Sequence, residues 1–76
     1  MITPAQCRAS RALLGISQKQ LAEAAGLSLR TLQGFEAGER ALHSLALGAI
    51  GRILEAEGII LITETGWTGV KLRVHN

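Results

Sequence analysis

The sequence predicts a mostly α fold: four short helices followed by a β-hairpin at the C-terminal end. Three observations predict it. Thr3–Gln6 and Ser17–Gln20 each have the spacing of a capping box, which marks a helix start. Gly15, Gly26 and Gly58 stand where helical patterns stop. Beyond Gly58 the apolar residues change from helical spacing to the two-residue alternation of strands. The division that follows is a helical domain over 1–58 and a hairpin over 59–76.

The first helix begins at Thr3-Pro4. Thr is a cap, Pro suits the first helical position, and Ile2 and Cys7 are placed for a hydrophobic staple across that start. It runs to Leu14. The next two helices form the unit around which the chain is organised, SQKQLAEAAGLSLRTLQGFEAG from Ser17 to Gly38. Leu21 and Ala25 share one face of the first of them, and Ala22 beside them is small enough to let a crossing helix approach. Gly26 ends that helix and Ser28 caps the next. Leu32 and Phe35 mark an inner face of this third helix, about 28–37. Arg30, Gln33 and Gly34 fall on another face, and Arg and Gln at that spacing carry the donors that read guanine and adenine edges.

At these residues the chain resembles the Cro/cI-type, XRE-like helix-turn-helix family. The resemblance rests on Gln18 opening one helix, then Ala22, Gly26 four residues on, Leu32, the Phe35-Glu36 pair and Gly38. It covers about Cys7 to Ile60. It implies a lambda-repressor-like domain that binds double-stranded DNA, with the third helix in the major groove. It also implies an ion pair between Arg11 and Glu36 that holds the first helix to the third. Base contacts are expected from Arg30 and Gln33, with Leu29 against a thymine methyl or packed inward. Phosphate contacts are expected from Gln18, Ser28, Thr31 and Arg40. Relatives often carry a long polar side chain where this chain has Gly34, and a proline near the position of Leu42. The segment from Glu39 to Ser44 is therefore expected to be a shortened loop or already helical, and His43 to be a surface or capping residue.

The fourth helix is expected over about Ser44 to Glu57, with Leu47, Ile50, Ile53 and Leu54 as its buried stripe. Gly48 and Gly51 lie off that stripe, either tolerated in solvent or bordering a partner. The tail then reads as a hairpin. Ile59 to Ile62 is an apolar run, Val70, Leu72 and Val74 alternate with Lys71 and Arg73, and Thr63 to Gly69 forms a longish loop that includes Trp67. A lone hairpin is unstable in water. The reading favours two copies pairing through Ile60, Ile62, Val70, Leu72 and Val74 over a hairpin that folds back on its own helices.

Composition bounds the function. A chain of 76 residues is one small domain, and such a chain buries only about 60% of its unfolded surface, so a dimer would help it. Its net charge of +2 is modest. The cations Arg8, Arg11, Lys19, Arg30 and Arg40 nonetheless gather in the first forty residues, opposed by Glu23, Glu36 and Glu39. No secretory signal and no run of about 18 apolar residues is present, so a cytoplasmic protein is expected. A single cysteine, Cys7, reads as a small core residue, and no cofactor or metal set is expected. No catalytic pairing or phosphate loop appears, which argues against an enzyme. The function expected is a sequence-specific, repressor-type transcriptional regulator, acting as a homodimer on a near-palindromic operator. The alternative is an antitoxin- or antiactivator-like module whose main partner is a protein.

Overall fold

The computed structural model describes residues 1–74. Four helices come first: α1 (Pro4–Leu14), α2 (Gln18–Ala25), α3 (Leu29–Glu36) and α4 (Ser44–Ala56). An antiparallel pair follows, β1 (Ile59–Glu64) and β2 (Trp67–Leu72).

Local chemistry sets the helix boundaries. Thr3 Oγ1 accepts from Gln6 N while Gln6 Oε1 accepts from Thr3 N, and Ser17 and Gln20 repeat the exchange at the start of α2. Ser28 Oγ accepts from Thr31 N at the start of α3. Each such cap satisfies an amide with no partner inside the helix, worth about 1 kcal/mol. Gly26 closes α2 at φ 70°, a left-handed conformation that a side chain would strain. His43 precedes α4 without a side-chain cap and is exposed.

The core is aliphatic. Leu21, Leu32, Ile50 and Leu54 are fully enclosed, with Phe35, Ala22, Cys7, Ile2 and Ile59 against them. Burial of Ile2 and Cys7 in one cluster closes the start of α1 from below. The segment joining α3 to α4 is a turn followed by residues 41–43 outside any helix or strand, so it is not helical. Leu42 packs from it onto the core, which fixes the segment without a proline.

The hairpin differs from expectation in two ways. Its connection is two residues, Thr65 and Gly66, instead of a loop from Thr63 to Gly69. Thr63 pairs with Thr68 and Glu64 with Trp67, so residues that favour strands extend the ladder to the turn. Gly66 supplies the positive φ, 82°, that the reversal needs. At the other end the ladder stops at Leu72, and Val74 is exposed outside the strand. In this register Val74 would face Glu57, which belongs to the end of α4, so it has no strand partner.

The hairpin folds back on its own helices through one face. Ile59 is buried, and Leu61, Val70 and Leu72 pack beside it on the core. Gln6, itself buried, donates from Nε2 to the carbonyls of Ile62 and Gly69 at 3.2 and 3.0 Å. One side chain thus caps α1 and ties it to both strands. The opposite face carries Ile60, Ile62 and Trp67, and Trp67 is largely exposed.

Candidate nucleic-acid interface

The third helix has two unlike faces. Leu32, Phe35 and Glu36 are buried, while Leu29, Arg30 and Gln33 are exposed. Arg30 and Gln33 are three residues apart and so lie side by side on the outer surface. Leu29 is 38% exposed, at the edge of that surface and clear of the core.

The orientation of α3 is fixed by one buried carboxylate. Glu36 is 1% exposed, and Arg11 meets it with two parallel bonds, Nε to Oε2 at 2.7 Å and Nη2 to Oε1 at 2.6 Å. Gln18 Nε2 donates to Oε1 at 3.0 Å, and the Cys7 thiol donates to Oε2 at 3.1 Å. Arg8 donates to the backbone carbonyl of Glu36. Side chains from α1 and α2 therefore converge on the last turn of α3. Burial pushes the Glu36 carboxyl up, but the bonds from Arg11, Cys7 and Gln18 outweigh it and hold it below the usual carboxylate range. Burial, then the bond to Glu36, pushes the Cys7 thiol up to about 12. The thiol stays protonated, and it donates to the carboxylate.

This arrangement sorts the cations and polar groups. Arg11 is committed to Glu36 and to the carbonyl of Ile16. Gln18 sits at the first position of α2 with its amide held by Glu36, half-buried. Ser28 and Thr31 bond to one another through their hydroxyls at 2.8 Å, at the N-terminus of α3. Lys19, Arg30 and Arg40 remain exposed. Ser28, Arg30, Gln33 and Arg40 are thus gathered on or beside the outer side of α3. The expected dimer residues divide: Ile60 and Ile62 lie on the outer hairpin face, Val70 and Leu72 pack on the chain's own core, and Val74 is beyond the strand.

Sequence reasoning missed four contacts, one of them the Gln18 amide on Glu36. Cys7 and Arg8 join the Glu36 cluster, and their four- and three-residue offsets from Arg11 on α1 were the available signal. Arg40 lies over Gly34. A β-carbon placed on Gly34 would stand 2.7 Å from Arg40 Cδ and 3.0 Å from its Cγ.

Two short helices joined by a glycine turn, the second with a buried inner face and a polar outer one, define a helix-turn-helix domain of the DNA-binding kind. The sequence matches the Helix-turn-helix family over residues 8–56, more than half of the chain, and the protein belongs to that family of Cro/cI-type, XRE-like regulators. No curated protein matches the chain. The family is a DNA-binding regulatory one and typically non-enzymatic. No helix among the described residues is long and apolar enough to cross a membrane.

Proposed function

We propose that this protein is a sequence-specific, repressor-type transcriptional regulator that binds a near-palindromic operator as a homodimer in the cytoplasm. The observation that carries the reading is the exposed Arg30–Gln33 pair on a helix whose opposite face is locked by Leu32, Phe35 and Glu36. A rigid helix with free donors at that spacing suits base-edge recognition: Arg30 for guanine, Gln33 for adenine, Leu29 for a thymine methyl. Ser28 and Thr31 stand where the N-terminus of α3 would meet a phosphate, and Gln18 does so at α2. Because Glu36 holds the Gln18 amide, that residue would orient a phosphate-facing helix end without reaching freely. Occupancy of a promoter would give repression directly.

The dimer is supported by apolar surface left over after the hairpin has docked. Ile60, Ile62 and Trp67 share one face of the hairpin. A dimer that reads two successive major grooves needs its recognition helices about 34 Å apart, one turn of DNA. Selection of bound duplexes from a random library, at near-physiological salt, tests the whole reading. The expected product is a two-fold symmetric site with half-sites about one turn apart. Binding that shows no enrichment and only fades with salt would refute it.

One feature favours the second reading, a protein-binding module of the antitoxin or antiactivator kind. A groove of about 420 Å³ opens between α4 and β1, lined by Ile2, Gly48, Gly51, Ile60 and Leu61 among others. Gly51 faces open space there, and Arg52 lies across Gly48. Co-purification of a second protein, together with failure of the duplex selection, would favour this alternative.

A further inference from the structure

The missing side chain at position 34 is replaced from outside the helix. α3 ends in a Schellman motif: Glu39 N donates to Gly34 O at 2.9 Å, Gly38 N to Phe35 O at 2.9 Å, and Gly38 takes φ 75°. Arg40 N also donates to Gly34 O, at 3.3 Å. One carbonyl therefore anchors two successive amides of the segment that follows. The chain reverses, and Arg40 returns over the last turns of α3. Its Cγ and Cδ then occupy the place where a side chain on residue 34 would begin. Gly34 is in ordinary helical conformation, with no positive φ to require glycine. The observed consequence of its bareness is room for the Arg40 stem.

The same reversal builds a hollow of about 580 Å³ lined by Arg30, Gln33, Gly34, Glu39 and Arg40. Arg40 is exposed and enters no salt bridge among the described residues. Its charge is free for a ligand. Arg30 and Gln33 line the same hollow, so the Arg40 side chain stands beside the face of α3 that would meet base edges.

Resting on the operator-binding reading above, we infer that Arg40 is a specificity-determining residue that reads a base, preferentially guanine, in the major groove beside Gln33. It is not merely a phosphate clamp. The reading surface is then discontinuous in sequence: Arg30 and Gln33 from α3, and Arg40 laid over Gly34 from the segment after it. Guanidinium geometry matches the two acceptors of guanine, which a lysine cannot engage in the same bidentate way.

The test is selection of bound duplexes from a random library with wild type, Arg40→Ala and Arg40→Lys, followed by affinities at several salt concentrations. Arg40 is exposed, so both variants are expected to fold, which circular dichroism checks. Both should lose preference at one base pair of each half-site and bind the wild-type site about 5- to 150-fold more weakly. Arg40→Lys should keep the salt dependence of the wild type. Gly34→Ala, which puts a methyl where the Arg40 stem lies, should disturb preference at that same base pair. Loss spread equally over all duplexes in Arg40→Ala, with rescue by Lys and a salt slope smaller by about one, would make Arg40 a phosphate contact and overturn the inference. An unchanged selected site in Arg40→Ala would also overturn it, while leaving the operator-binding reading intact. Enrichment of no site by the wild type would overturn both.

Discussion

Replacing Glu36 by Gln tests whether the buried ion pair organises the recognition helix. The substitution keeps the size and shape of the side chain and removes its charge. It leaves Arg11 facing a neutral amide, its side chain 18% exposed. Breaking one member of a buried pair costs about 3–5 kcal/mol, and the partial exposure of Arg11 places this case at about 3 kcal/mol. A domain of 76 residues has about 4–11 kcal/mol of stability in all, so the loss is a large fraction. With a urea slope of about 1 kcal/mol/M, the midpoint should fall by about 3 M, or the variant should be partly unfolded in buffer. The pH dependence is a second, independent readout. The folded carboxyl is held below its usual range, so the contribution of Glu36 is fully present above the unfolded pKa of about 4.3 and is lost as pH falls through the lower folded value. Wild type should therefore lose stability steeply below about pH 4.3, and Glu36→Gln should show a shallower slope there. A midpoint shift of less than about 0.5 M with an unchanged acid slope would refute the reasoning.

Further perturbations test other parts of the structure. Cys7 should resist a thiol reagent at pH 8 in the folded state and react as denaturant opens the core, since the thiol is fully buried and its pKa lies near 12. The raised value also means that its contribution is complete below the unfolded pKa of about 8.5 and declines as pH rises towards 12. Gln6→Ala should cost about 2–3 kcal/mol in a denaturant titration, because the bond that Gln6 Oε1 accepts from Thr3 N and the two that Gln6 Nε2 donates to the hairpin are lost together. Gly51→Ala should raise the melting temperature by several degrees, since a β-carbon there meets open space and Ala gains about 1 kcal/mol in a helix. Ile60→Lys should leave the monomer folded and shift sedimentation towards the monomer; an undiminished dimer would move the interface away from the outer hairpin face.

The parts of the fold legible in the sequence were those set by local rules. Two capping boxes, the glycine stops and the apolar stripes place α1 to α4 to within a residue or two, because each boundary is decided within about four residues of chain. The hairpin turn was less legible. Thr63, Thr68 and Trp67 are adequate strand residues, but nothing local says whether a glycine-bearing stretch closes over two residues or seven, and cross-strand pairing decides it. The packing of the tail was harder still. A strand apolar on both faces, from Ile59 to Ile62, does not say which face meets its own chain, and Gln6, fifty-six residues from Ile62, supplies the answer. Arg40 over Gly34 had a visible cause in Gly38, but its effect depends on the chain reversal that the Schellman bonds impose.

The cluster around Glu36 links these levels. The carboxylate sits one residue before the C-cap of α3, so its partners fix the end of the helix from which Arg40 is aimed. Arg11 and Cys7 bring α1 to it, and Gln18 brings the first residue of α2. The groups proposed to meet DNA, at the start of α2, along α3 and just after it, are thereby referred to a single buried anion. A change at Glu36 should then alter more than stability. With Gln18 and the end of α3 released together, affinity for all duplexes should fall along with discrimination among them, because positioning contacts and reading contacts share one support.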